Sequence, residues 1–205
     1  MKSNCCRTKF SYQLFVSSRV IGTDGQDQEL LSRFRSGDTG AFSALVVRYQ
    51  KPIFNAAYRI LGNADNACDI SQVVFLKVFE CLDDYDPKFK FFSWIYRIAI
   101  NESIDFLRRS SKHDTLDDDA DFEAPESASP EWQYQDRQVS NRIQQALSQL
   151  TIDDRTVITL RHFNECSYQE IAEILVLEEK TVKSRIFEAR RRLAKLLGDL
   201  RMVTV

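Results

Sequence analysis

The chain has 205 residues, of which 43% are hydrophobic and 28% charged, and its formal net charge is −2. That balance suits a soluble globular protein of one or two small domains and excludes a fibrous or low-complexity one. No apolar run approaches the ~20 residues needed to cross a bilayer, and the short, broken apolar stretch after Lys2, Arg7 and Lys9 makes a poor signal peptide, so a cytoplasmic protein is expected.

Six glycines and four prolines are few for this length, and long segments repeat apolar residues every three or four positions. The expectation is an all-α protein. Residues 1–25 have no clear period and read as a disordered arm. Gln28 to Arg35 reads as a short helix that stops at Gly37. Asp38 or Thr39 then caps a longer run whose apolar face holds Phe42, Leu45, Val46, Tyr49, Ile53, Ala57, Ile60 and Leu61. Pro52 lies inside that run and predicts a kink, or a break and restart. Gly62-Asn63 ends it. Asn63 caps a third helix carrying Ile70, Val73, Val74, Val78, Cys81 and Leu82, and Asp83 to Pro87 forms a turn cluster.

The segment 88–112 starts a helix at Ser93 or a residue nearby. Its apolar side includes Ile95, Ile98, Ala99 and Phe106, and its other side offers Trp94, Arg97, Asn101, Asp105, Arg108 and Arg109. Aromatics interleaved with cations and an amide suit single-stranded nucleic acid, where stacking on an aromatic face contributes ~1–3 kcal/mol per base. The plainer reading is that Phe89, Phe91, Phe92 and Trp94 are core, and for at least two of them it is expected to hold. From Asp114 to Asp136 there are nine acids and no Lys or Arg. This stretch, with Pro125 and Pro130, lacks the apolar content to fold alone and reads as a flexible acidic linker. Ser129 and Pro130 open the next helix, with Val139, Ile143, Ala146, Leu147 and Leu150 facing its core. Thr151 or Asp153 starts a further one through Val157, Ile158, Leu160 and Phe163.

Residues 167–197 hold two short amphipathic helices. Ile171, Ala172, Ile174 and Leu175 make one apolar face, and Val182, Ile186, Ala189 and Leu193 make the other. Ser167 with Glu170 three residues on is the capping-box pattern. From Lys180 to Arg201 eight cations stand against two carboxylates, a net +6 in a chain that is nearly neutral overall. A helix, a short connector and a cationic second helix read as a helix-turn-helix built to enter a major groove. A solvated amphipathic pair is the plainer alternative. The five cysteines are odd in number, form no Cys-x-x-Cys and share no ligand spacing with His113 or His162, so no metal, disulfide framework or cofactor is expected. Cys68 and Cys81 read as small core residues of their helix. No phosphate-cradling Gly loop and no nucleophile paired with a base is present, so an enzyme is not expected.

Two blocks in this order resemble the bacterial sigma-70 family of RNA polymerase sigma factors, of the extracytoplasmic-function type. The first is the stretch with Asp69, Gln72 and Phe75, followed by Trp94, Ile98, Ala99, Asn101, Asp105 and Arg108, which is similar to the family's region 2. The second, LTIDDRTVITLRHFNECSYQEIAEIL with TVKSRIFEARRRL, is similar to its region 4. The resemblance implies two small helical domains, 26–112 and 131–198, joined by an acidic linker over 113–130, with a tail over 199–205. It implies a promoter-specificity subunit that binds core RNA polymerase and promoter DNA, has an anti-sigma factor as a further partner, and is monomeric when free of polymerase and nucleoid-associated when bound to it. Asp69, Gln72 and Phe75 would dock on polymerase, although Phe75 as core and Asp69 as a helix N-terminal charge are the plainer roles. Phe92, Trp94, Arg97, Asn101, Asp105, Arg108 and Arg109 would hold the unpaired minus-ten strand. Thr181, Lys183, Ser184, Arg185, Phe187 and Arg190 would read the minus-thirty-five groove. Departures are Val176 where the turn usually has Gly, Lys180 before Thr-Val, Glu188 at a frequently basic position and Thr151 for Pro. Two other readings compete: a decoy that only sequesters an anti-sigma factor, and a stand-alone helix-turn-helix regulator.

Overall fold

The computed structural model describes residues 24–113 and 131–202, all helix, turn or loop with no strand among them. Helices α1 (Asp24–Arg35), α2 (Thr39–Leu61), α3 (Ala64–Glu80) and α4 (Phe91–His113) form a first bundle. A 3-10 turn, Leu82–Asp84, links α3 to α4. Helices α5 (Glu131–Ser148), α6 (Ile152–Ile158), α7 (Tyr168–Leu175) and α8 (Glu179–Met202) form a second, with a π-helical turn at Thr159–Phe163 between α6 and α7. The expected arm and acidic linker fall almost wholly outside the described residues.

Local chemistry starts these helices where expected. Asp38 accepts from the Gly40 N–H to cap α2, Asn63 accepts from Asn66 to cap α3, and Thr151 accepts from Asp154 to cap α6. Each such cap satisfies a backbone donor that the first turn leaves free. Helix α1 begins four residues before the expected Gln28. Its extra turn is held from inside: Asp27 is fully buried, accepts from the Tyr49 hydroxyl at 2.5 Å and pairs with Arg48.

Two expectations are corrected. Pro52 neither breaks α2 nor restarts it; one helix runs from Thr39 to Leu61. Leu45, Tyr49, Ile53, Ala56, Ala57 and Ile60 are all buried along one stripe, and that burial offsets the ~3 kcal/mol an interior proline costs. Cys81 is exposed and Cys68 only half-buried, because Cys81 is the C-cap of α3, past its packed face. Among the described cysteines Cys166, assigned no role from its spacing, is the buried one.

The two bundles pack on each other through one apolar core. The C-terminal turn of α2 meets α5 and α6, and the start of α4 meets α7. Carbonyls at the end of α2 accept from side chains of the second bundle. Arg155 donates to the Ile60 carbonyl at 2.6 Å, and Gln144 donates to those of Tyr58 and Arg59 at 3.3 Å. Arg59 lies over the Phe163 ring at 4.3 Å, and Asn164 donates to the Tyr96 hydroxyl at 2.8 Å. Burial lowers the pKa of both Arg59 and Arg155 from the ordinary guanidinium value, yet a guanidinium stays charged at any physiological pH.

Replacing Asp27 by Ala removes the carboxylate that accepts from the buried Tyr49 hydroxyl, and loss of a hydrogen bond to a charged group costs about 2 kcal/mol. Urea unfolding of Asp27→Ala is expected to show a lower midpoint at an unchanged slope; an unchanged midpoint would deny the clasp any part in stability.

Candidate nucleic-acid interface

The helix-turn-helix is α7, a connector and α8. Its entry is the expected capping box: the Glu170 N–H donates to the Ser167 hydroxyl at 3.1 Å, and the Ser167 N–H donates to the Glu170 carboxylate at 2.8 Å. Val176 closes α7 in the left-handed region, with φ 55° and ψ 51°. The turn therefore keeps the geometry that Gly would give it, at the expense of a strained β-branched residue. The Val176 and Leu177 N–H groups both return to the Ala172 carbonyl, and the Val176 side chain is 73% exposed.

Val182, Ile186 and Ala189 bury one side of α8 against α6 and α7. The opposite side carries Lys183, Ser184, Phe187, Arg190 and Arg191, all exposed, with Thr181 and Arg185 half-buried on its flank. The six minus-thirty-five candidates thus lie along one exposed helix, and Phe187 stands 66% exposed among cations. Several cations are held by partners. Lys183 pairs with Glu179 at 2.6 Å, which raises its pKa. Arg185 pairs with Asp153 at 3.4 Å, and Arg192 with the buried Asp154. Glu188 pairs with Arg191 at 2.9 Å, so the departure there neutralises a neighbour on the same helix. Arg190 donates through Nε to His162 Nε2 at 2.9 Å. Burial first, then Arg190 and Arg161, lower the His162 pKa, which keeps the ring neutral and able to accept.

On α4 the seven minus-ten candidates separate into two groups. Asn101, Asp105, Arg108 and Arg109 are exposed on the last turns, with Arg109 donating to the Asp105 carbonyl at 3.2 Å and Arg108 3.8 Å from its carboxylate. Phe92, Trp94 and Arg97, at the start, are engaged within the protein. Phe92 is 8% exposed with its ring 4.4 Å from Tyr96. It is core in this arrangement, not a free stacking face, because position 92 falls on the same side as Tyr96 and Ile95. Phe91 is core as well, and Phe89 is 52% exposed. Trp94 is half-buried in a nest with Tyr85 and Phe91, its ring 5.3 and 5.7 Å from theirs. Arg97 donates to the backbone carbonyl of Glu173 on α7.

On α3, Asp69 and Gln72 are exposed and Phe75 is half-buried. Phe75 and Gln72 line a shallow groove with Phe42, Val46, Leu76 and Phe79. Leu76 is 62% and Phe79 55% exposed, and the rings of Phe34, Phe42 and Phe79 lie within 5.1 to 5.6 Å of one another. Sequence reasoning placed only Gln72 and Phe75 at this surface. The signal for the rest was present: Val73-Val74-Phe75-Leu76 with Val78-Phe79 is apolar on more faces than one core can cover.

Two family models match the chain: the one described as Sigma-70 region 2 over residues 45–113, and the one described as Sigma-70, region 4 over residues 140–193. The chain is 36% identical over 187 residues to the RNA polymerase sigma-H factor of Pseudomonas aeruginosa, covering 87% of this chain and 97% of that one. It is 36% identical over 184 residues to the ECF RNA polymerase sigma factor SigW of Bacillus subtilis, covering 83% and 96%. To the ECF RNA polymerase sigma-E factor of Escherichia coli it is 33% identical over 173 residues, covering 80% and 90%. Among solved structures it is similar to CnrH in complex with the cytosolic domain of CnrY, with a TM-score of 0.66 and 28% identity over 84% of this chain and 97% of that one. It also shares the fold of the sigma factor RpoE in complex with the anti-sigma factor NepR from Bartonella quintana, with a TM-score of 0.61 and 23% identity over 77% and 96%.

A left-handed β-branched residue costs about 1–2 kcal/mol, and glycine returns about 0.5–1 kcal/mol of that through its greater unfolded-state freedom. Val176→Gly is therefore expected to stabilise the protein by about 0.5–1 kcal/mol in denaturant unfolding; a destabilised variant would show that the Val176 side chain has a packing role its exposure does not suggest.

Proposed function

The chain belongs to the sigma-70 family of RNA polymerase sigma factors, in its extracytoplasmic-function group, and from that premise we propose how its surfaces divide the work of starting transcription. The protein binds core RNA polymerase and directs it to promoters; it is a recognition subunit and not an enzyme. The observation that carries this reading is the pairing of both regions, in family order, with an exposed cationic face on α8.

Residues 131–198 form the unit that reads the minus-thirty-five element. Arg185 and Arg190 are suited to guanine edges, while Lys183, Ser184 and Thr181 suit phosphates and Phe187 offers an apolar face to thymine methyls. Residues 26–112 form the unit that docks on polymerase and opens the minus-ten element. Gln72 and Phe75 line the apolar groove and Asp69 is exposed on the same helix, polar groups beside an apolar floor, which is the anatomy of a protein-docking surface. Asn101, whose amide carries both a donor NH2 and an acceptor carbonyl, can read the edge of an unstacked base, and Arg97, Arg108 and Arg109 supply phosphate contacts. Melting costs ~1.4 kcal/mol per base-pair step, which a few captured bases and the polymerase contacts offset together. An anti-sigma factor is a further partner, and the working place is the cytoplasm, at the nucleoid when polymerase is bound. Among the described residues no helix is long and apolar enough to cross a membrane.

Val176 keeps the left-handed turn and Glu188 is paired within its own helix, which removes the grounds for a decoy without DNA-reading capacity. Run-off transcription with core polymerase on promoters of the source genome tests the proposal: initiation dependent on this protein is expected, and core binding with no transcript from any promoter would overturn it. Arg185→Ala is expected to lower promoter-specific transcription about 10-fold or more, the equivalent of about 1–3 kcal/mol of lost readout, with core binding unchanged. An equal loss of both in a folded variant would contradict its assigned role.

A further inference from the structure

Two rows of side chains run along the first half of α8, each stepping by three or four residues. Val182, Ile186 and Ala189 make the buried row. At about 100° per residue, the row directly opposite is Ser184, Glu188 and Arg191, of which Ser184 and Arg191 are exposed and Glu188 is half-buried. A carboxylate therefore stands in the middle of the face turned away from the protein, with Phe187 beside it at 66% exposure. In that place it weakens any contact with a phosphate backbone, so it is unsuited to a face that only grips phosphate. Its direction is set within the helix: Arg191 lies 2.9 Å from Glu188 Oε2. The pair is exposed and adds little stability, but it occupies one carboxylate oxygen and leaves the other suited to a further donor.

We propose that Glu188 is itself a base reader, which selects cytosine at one position of the minus-thirty-five element. The inference rests on the assignment of α8 as the helix that reads that element, and it names a preference which the assignment leaves open. The chemistry of the major groove restricts the choice. A carboxylate accepts hydrogen bonds and donates none. Guanine presents the acceptors N7 and O6 there, and thymine presents O4 and a methyl group, so both repel it. Adenine offers its N6 amino group but sets the N7 acceptor beside it. Cytosine offers its N4 amino group with no acceptor of its own on that edge, and is the base a carboxylate fits. Repulsion contributes as much as attraction: the same charge that accepts from cytosine N4 disfavours every duplex lacking a cytosine at that place. The acid at a position where the family is frequently basic thus changes which promoter is chosen, rather than abolishing choice.

The test uses holoenzyme assembled from core polymerase and the full-length protein. A promoter of the source genome, found by run-off transcription, is supplied as a pool of duplexes with its minus-thirty-five segment randomised, and the bound templates are sequenced. The wild-type protein is expected to enrich cytosine about tenfold over each other base at one position. Glu188→Ala is expected to flatten that position and leave the others as they were. Glu188→Gln, whose amide carries both a donor and an acceptor, is expected to enrich adenine there. Wild-type preference at every position in Glu188→Ala overturns the proposal. So does an affinity that rises equally for all templates, because the carboxylate then acts by charge alone. Should Glu188→Ala fail to fold, the nearly isosteric Glu188→Gln decides: cytosine kept at tenfold with no gain of adenine overturns the proposal. Wild-type holoenzyme that initiates but enriches no cytosine overturns it as well, and leaves the sigma-factor reading standing. A wild-type protein that yields no transcript from any promoter overturns that reading, and the role of Glu188 with it.

Discussion

Arg155 is where the two halves of the molecule are joined. A helix leaves its last carbonyls without internal partners, and α2 ends with those groups pointing into the second bundle. Arg155 answers them while also donating to the Ser148 carbonyl at 2.6 Å and to that of Leu150 at 3.2 Å. One guanidinium therefore ties the end of α2 to the turn between α5 and α6. Its charge also suits the negative end of the α2 dipole. Gln144 supports it from α5, and Arg59 returns the contact by donating to Gln144 at 3.3 Å while lying over Phe163. Planar guanidiniums are the cations least costly to bury, being weakly hydrated and able to donate to several acceptors at once.

From that junction the position of α7 follows. The π-helical turn adds a residue between α6 and α7, and Asn164 at its end donates to the Tyr96 hydroxyl. Burial holds that hydroxyl well above its ordinary pKa, so it remains a neutral acceptor. With the turn anchored to α4, α7 lies along the face that carries Lys90, Ser93 and Arg97. The start of α4 and the first helix of the helix-turn-helix are thereby brought into contact by packing alone.

The helices were legible because their signals are local. Asn63, Thr151 and the Ser167–Glu170 box mark starts through hydrogen bonds spanning two or three residues, and the apolar periods mark the buried faces. The cationic face of α8 was legible for the same reason, since helical spacing alone places Lys183, Phe187 and Arg190 together. Pro52 was expected to kink α2 or to break it, and Cys81 to be core, because propensity and pattern know nothing of what lies opposite. The stripe from Leu45 to Ile60 is buried deeply enough to carry a proline, and Cys81 sits one residue past the last packed turn. The apolar groove on α3 was half legible: Gln72 and Phe75 stood out, but Phe42 and Val46 come from a different helix and Leu76 and Phe79 fell outside the helical period that was followed.

By itself, then, the sequence determined the helix inventory, the capped entry to the DNA-reading pair, and a family resemblance that the relatives establish, all from interactions between residues near one another in the chain. Tertiary structure alone decided which aromatics of α4 remain free, that Val176 would accept a left-handed turn, and that α7 would close over α4. The last of these depends on contacts between residues eighty positions apart, such as Ser93 with Glu173. Their energies come from desolvation and packing at a surface that no single helix contains, and so no periodicity records them.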